Sequence, residues 1–126
     1  MKTIRKSYLI AATLEKVWQA LVNPKQIVQW GAGPVKMDDR VGSKFSLWGG
    51  DIYGTNKKVI KGKQLVQDWY GGDWKQPSKL TITLKRKKEG TKVDLLHKDL
   101  PDDEAAGFSD GWDAYYFGPI KELLEN

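Results

Sequence analysis

The chain has 126 residues, a formal net charge of +5 and no cysteine. That length suits a single domain, residues 1–126, with a core large enough to need no covalent staples. Disulfides and thiol chemistry are excluded, and a reducing, cytoplasmic setting fits.

The N-terminal MKTIRKSYLI carries basic residues but no long apolar stretch and no small-residue cleavage site, so a signal peptide is not expected. No apolar run anywhere approaches the roughly 20 residues of a membrane span. TIRKSYLIAA reads as a first strand, with Tyr8 and Ile10 on one face. The period then changes: Val17, Trp18 and Leu21 fall at helical spacing, Thr13 suits the N-cap and Glu15 the positive helix end. Asn23-Pro24 ends that helix and starts a second, PKQIVQW, which Gly31, Gly33 and Pro34 stop. From Val35 to about Leu100 short alternating runs are separated by turn signals, as in an antiparallel meander. KLTITLKRK is the clearest strand, with Leu80, Ile82 and Leu84 on one face, and TKVDLLHKDL returns with Val93, Leu95 and His97 together. Pro101 ends the strands. Phe108, Trp112, Tyr115 or Tyr116, Ile120 and Leu123 then restore helical spacing, with Asp102, Asp103 and Glu104 complementing the helix start. Gly107 and Gly111 weaken the first half of this helix, and Pro119 is expected to kink it. An antiparallel sheet with one apolar face must cover that face, and only the last helix is long enough to do so.

Charge is unevenly spread. From Asp99 onward there are eight acidic residues and one basic residue, Lys121, so the positive excess lies in the preceding part of the chain. It concentrates in NKKVIKGK and KRKKEGTK. Neither run holds base-stacking aromatics, so both read as solvated hairpin tips, where lysine also blunts sheet edges. Specific nucleic-acid binding is not expected.

In order, LEKVWQALVNPKQIVQW, VGSKFSLWGGDIYG, LVQDW, and GW opening an aromatic C-terminal helix resemble the family related to the C-terminal domain of the Hsp90 ATPase activator. That family lies in the START-like, or Bet v 1-like, superfamily. The resemblance runs from about Ile4 to Leu124 and rests on the ordered set rather than on any one motif. It implies an α+β helix-grip fold: a curved antiparallel sheet of about six or seven strands around a long C-terminal helix, with two short helices after the first strand. It also implies, for many members, an apolar cavity between sheet and helix. Some members bind lipids, hormones or polyketides, some are enzymes, and one branch is a co-chaperone domain.

The chemistry-bearing residues are few. One histidine and no cysteine leave no zinc-finger set and no Cys–His pair. Asp38-Asp39 and Asp102-Asp103 read as turn and helix-start residues, because sequence neighbours do not converge on a concave site. GGDIYGT and GAGPVK lack the Gly-Lys-Ser/Thr ending of a phosphate loop. No cofactor, metal or catalytic residue is therefore expected. His97 admits two readings, an inward ligand contact or a buried histidine bonded within the core. Among the six tryptophans, Trp18 reads as packing, Trp30 as closing one end of the sheet, and Trp74 as a loop residue at an entrance. Trp48 has the opposite parity to Phe45 and Leu47 and reads as outward unless the following glycines shift the register.

Trp69 and Trp112 suit a cavity wall, although a filled core fits them equally well. The expected cavity has Phe45, Leu47, Trp69, Ile82, Leu84 and Leu95 on the sheet side, and Phe108, Trp112 and Tyr116 on the helix side. His97 and Tyr116 would supply its polar contacts. The first functional expectation is a small apolar or aromatic ligand. The alternative is a protein-interaction module, chaperone-linked as the resemblance implies. An enzyme of cyclase or hydrolase kind would need convergent titratable groups, and His97 alone is thin support for one.

Overall fold

The computed structural model describes residues 1–126. β1 (Lys2–Ile10) leads into α1 (Leu14–Val22) and α2 (Pro24–Trp30), followed by β2 (Lys44–Leu47), β3 (Ile52–Ile60), β4 (Gln64–Gly71), β5 (Ser78–Lys87) and β6 (Gly90–Leu100). All pairings are antiparallel in one six-stranded sheet of order β1-β6-β5-β4-β3-β2. Helical structure then runs through α3 (Ala105–Gly111), a π-helical segment (Trp112–Phe117) and α4 (Gly118–Glu125).

The strand alternation is realised side by side. Leu65 faces Ile82, Ile82 faces Leu95, and Leu84 faces Val93, so one layer of aliphatic side chains crosses the sheet. Each of the five is no more than 3% exposed. Val35–Val41 contributes only a bridge between Lys36 and Ser46, which leaves the sheet at six strands.

The short helices obey their caps. Thr13 Oγ1 accepts from Lys16 N at 3.3 Å, and Asn23 Oδ1 accepts from Lys25 N at 3.0 Å, with Pro24 in the first turn of α2. Val17, Trp18 and Leu21 are buried, as their spacing requires.

The final helical stretch is irregular next to Pro119, where α4 begins with the proline in its first turn. Its adjustment lies earlier, where Gly118 N–H bonds to Asp113 O, five residues back. That wider turn accommodates the donor that Pro119 lacks. A side chain at Gly118 would place its Cβ 2.2 Å from Asp113 O, so glycine is required there.

One side of this stretch is pinned to β1. Lys6 Nζ and Tyr8 Oη bond to the two oxygens of Asp113 at 2.8 and 2.7 Å, and Ala11 N bonds to Glu125 Oε2 at 2.9 Å. The hydrogen bond from Lys6, then that from Tyr8, holds the Asp113 carboxyl below its usual range. Burial, then Asp113, pushes the Tyr8 phenol up. No helix is long and apolar enough to cross a membrane.

Candidate functional site

A cleft of about 550 Å³ opens between α3, the π segment, β3, β4 and the β2–β3 connection. Trp69 and Ile52 form its sheet wall, Phe108, Trp112 and Tyr116 its helix wall, and Trp48 its side. The mouth carries Asp103, Glu104 and Tyr115, all exposed. Gly107 and Gly111 sit one turn apart on the helix wall. A Cβ at Gly107 would meet nothing within 4 Å, so packing does not demand glycine there. Its effect is to leave the wall open.

The rings are mutually braced. Trp69 and Trp112 stack with centroids 4.9 Å apart, Tyr116 lies 4.7 Å from both Trp30 and Trp112, and Trp74 packs on Phe108 at 5.4 Å. Trp74 Nε1 also donates to Glu104 Oε2, which fixes that carboxylate at the mouth. Tyr116 is 2% exposed, and its hydroxyl has no partner within the protein. Burial pushes its phenol up.

Behind the rings runs a thread of buried polar groups. Asn56 Nδ2 donates to the carbonyls of Asp38 and Arg40 at 3.0 and 3.2 Å, and Gln67 Nε2 donates to Asn56 Oδ1 at 2.8 Å. Trp69 Nε1 donates to Gln67 Oε1 at 2.8 Å, and Ser78 Oγ donates to Trp69 O at 2.9 Å. His97 Nε2 lies 2.8 Å from Ser78 Oγ, and Trp112 Nε1 lies 3.1 Å from His97 Nδ1.

An indole N–H can only donate, so His97 Nδ1 accepts and the proton sits on Nε2, which donates to Ser78. Every member is thereby satisfied. The same logic removes the Ser–His pair from nucleophilic chemistry, since Nε2 already holds the proton that a general base would have to take. Burial lowers the His97 pKa to about 3, so the ring is neutral near pH 7. No cluster of three or more His, Asp or Glu side chains is arranged to hold a metal ion.

Of the residues expected in a cavity, Trp69, Phe108, Trp112 and Tyr116 line the cleft. Phe45, Leu47, Ile82, Leu84 and Leu95 are core, each no more than 3% exposed and absent from the cleft wall. His97 sits one layer back, bonded to Trp112 and Ser78.

Trp48 faces the cleft rather than solvent. Its own φ of 50°, with positive φ at Gly49 and Gly50, turns the chain so that its ring meets Trp30 and Tyr116 edge-on. The Gly49-Gly50 pair was the signal for that reversal. Ile52, Tyr115 and the mouth carboxylates had no comparable signal. Asp102 and Glu104 were expected to complement the helix start. Glu104 is the N-cap of α3, but its carboxylate takes the Trp74 indole rather than a backbone N–H, and Asp102 pairs with the N-terminal amine at 2.7 Å.

The far end of the sheet has the opposite character. The β3–β4 and β5–β6 turns lie side by side there, joined by Leu84 N to Lys63 O at 2.8 Å. Lys61, Lys63, Lys85, Lys87 and Lys88 are exposed, and none is paired with a carboxylate.

Comparison with known proteins follows the same lines. The sequence profile of the activator of Hsp90 ATPase homolog 1-like protein family matches residues 11–125. An activator of 90 kDa heat shock protein ATPase homolog from Dictyostelium discoideum is 25% identical over 126 residues, covering 98% of this chain and 33% of that protein. Homolog 1 from Homo sapiens is 23% identical over 124 residues, covering 97% of this chain and 36% of its own length. The chain thus spans about a third of the length of these relatives.

Among solved structures, an Hsp90 activator from Plasmodium falciparum superposes with a TM-score of 0.88 at 22% identity, covering 99% of this chain and 97% of that one. The Aha1 dimer from Colwellia psychrerythraea gives 0.85 at 22% identity, with the same coverage of 99% and 97%. These structural likenesses establish the helix-grip fold, and the profile, spanning nearly the whole sequence, establishes that the chain belongs to the activator of Hsp90 ATPase homolog 1-like family of the Bet v 1-like superfamily.

Proposed function

We propose that the chain is a protein-interaction domain of the Hsp90-activator kind, engaging a chaperone ATPase through the basic end of its sheet. The observation that carries this is the activator profile matching residues 11–125. The unpaired lysines of the two adjacent turns support the choice of surface. An acidic patch on a partner would be steered toward them by long-range attraction. Attraction of these lysines to DNA or RNA is expected to be weak and salt-sensitive. The absence of cysteine suits a partner in the cytoplasm.

Calorimetric titration of a purified Hsp90-type chaperone with the domain tests the reading. The expected result is saturable binding that weakens as salt rises and is lost in the combined variant Lys85→Glu, Lys87→Glu and Lys88→Glu. No heat of binding from the wild type, or binding indifferent to the charge reversal, contradicts it.

We also infer a second role, the binding of a small apolar molecule in the aromatic cleft. It is favoured by the open volume beside Trp69, Phe108 and Trp112 and by the unpartnered Tyr116 hydroxyl. Native mass spectrometry of freshly purified protein is expected to show a retained small molecule. Catalysis of cyclase or hydrolase kind finds less support, because the only histidine is held behind the cleft wall with both nitrogens engaged.

A further inference from the structure

We infer that the cleft selects cations: its ligand is a small amphipathic amine, with the apolar body against Trp69, Phe108 and Trp112 and the ammonium at the mouth beside Asp103 and Glu104. This rests on the ligand-binding reading of the cleft and adds the charge of the ligand.

Charge is the first ground. The protein is basic overall, at +5, yet no lysine or arginine lines the cleft, and the only charged side chains there are Asp103 and Glu104. An anion entering would be desolvated beside two carboxylates with no cation to meet it. An ammonium gains from both.

Construction is the second ground. Glu104 is not a free surface carboxylate: one oxygen accepts from Trp74 Nε1, and the Trp74 ring is wedged on Phe108, so the other oxygen is held at the mouth. The wall itself is the third. Trp48 and Tyr116 meet edge to face, with centroids 6.5 Å apart, and Tyr115 stands exposed at the rim. Ring faces attract cations through their quadrupoles, and do so more strongly as water is excluded. The Tyr116 hydroxyl, on the cleft wall and without a protein partner, supplies an acceptor for an ammonium N–H.

Gly107 and Gly111 complete the case. Glycine is the weakest helix former after proline, and neighbouring atoms do not require it at 107. Larger residues on this face of α3 would close the space that the apolar body needs.

Tryptophan fluorescence titration with three probes of one apolar body tests the inference: phenylbutylamine, phenylbutanol and phenylbutyrate, at neutral pH. The amine is expected to saturate and to bind about tenfold tighter than the alcohol, a difference of the size expected from one cation–π contact plus a carboxylate. The butyrate should bind more weakly still. Combining Asp103→Asn with Glu104→Gln, which keeps an acceptor for Trp74, should bring the amine down to the alcohol's affinity and leave the alcohol unchanged. Gly107→Leu should abolish binding of both with the circular dichroism spectrum intact. Equal affinity for all three probes would overturn the cation assignment while leaving a ligand-binding cleft. No binding by any probe would overturn the cleft reading as well.

Discussion

The two ends of the sheet are built from the same alternating strands but finish differently. At the hairpin-tip end Trp18, Leu65, Ile82, Leu84 and Val93 interdigitate, each at most 3% exposed, and the groove of about 740 Å³ outside them, beside Leu14, Trp18 and Leu84, is lined mostly by polar and charged side chains of α1 and the two turns. At the other end Trp69, Trp112, Phe108 and Tyr116 lean on one another at tilted angles, a polar thread runs behind them, and a cleft of about 550 Å³ remains. Branched aliphatic side chains fill gaps between layers. Flat rings, with Trp69 and Trp112 tied by their indole hydrogen bonds, cannot shift to do so, and the two helix glycines add nothing to close the space. Charge follows the same division, with bare lysines at the filled end and carboxylates at the open one.

Trp112 holds the open end together, so removing it should produce the largest effect. Trp112→Ala deletes a ring that is 2% exposed and strips the donor from His97 Nδ1. A loss of about 5 kcal/mol is expected in urea unfolding. A loss near 1 kcal/mol would mean the ring is far less packed than its contacts indicate.

Next in size is the pH response. His97 takes its proton near pH 3 when folded, against an ordinary 6.5 when unfolded. The unfolded chain therefore binds the extra proton between those values, and stability is full above about 6.5 and falls as pH drops toward 3. Each pKa unit is worth about 1.4 kcal/mol, so the full span costs about 5 kcal/mol. Unfolding measured between pH 6.5 and about 4.5, above most carboxylate titration, isolates the histidine. His97→Gln should flatten the slope there, and a flat wild-type profile would sink the buried neutral ring.

The remaining two substitutions contrast the ends directly. Gly107→Ala should raise stability by about 0.5–1 kcal/mol, because the helix gains a better former and the new methyl meets only open space. A loss instead would show the cleft is occupied by protein atoms. Trp18→Phe at the filled end should change stability least, within about 1 kcal/mol. Trp18 Nε1 is buried with no partner, so the lost ring volume is offset by removal of an unsatisfied donor.

Much of this was legible in the residues. Period-2 runs such as Leu80, Ile82 and Leu84 gave strands and their buried face, and Phe108, Trp112 and Tyr116 gave the covering helix. His97 was correctly placed inward by its parity with Leu95. Depth was not legible. Periodicity says which face a side chain takes, not whether the space before it is filled, so Ile82, Leu84 and Leu95 were assigned to a cavity when they belong to the core. The π segment also escaped, because it follows from a backbone adjustment several residues long. Glu104 read only as a helix-start residue, because its bond from Trp74 joins positions 30 residues apart.

The separation of labour between the ends can be tested in one assay. The ATPase rate of an Hsp90-type chaperone is measured with the wild-type domain, with Lys85→Glu, Lys87→Glu and Lys88→Glu combined, and with Gly107→Leu. The wild type and Gly107→Leu should stimulate equally, and the charge-reversed variant should not stimulate. Loss of stimulation on filling the cleft, with full stimulation after charge reversal, would place the partner at the open end and contradict the assignment.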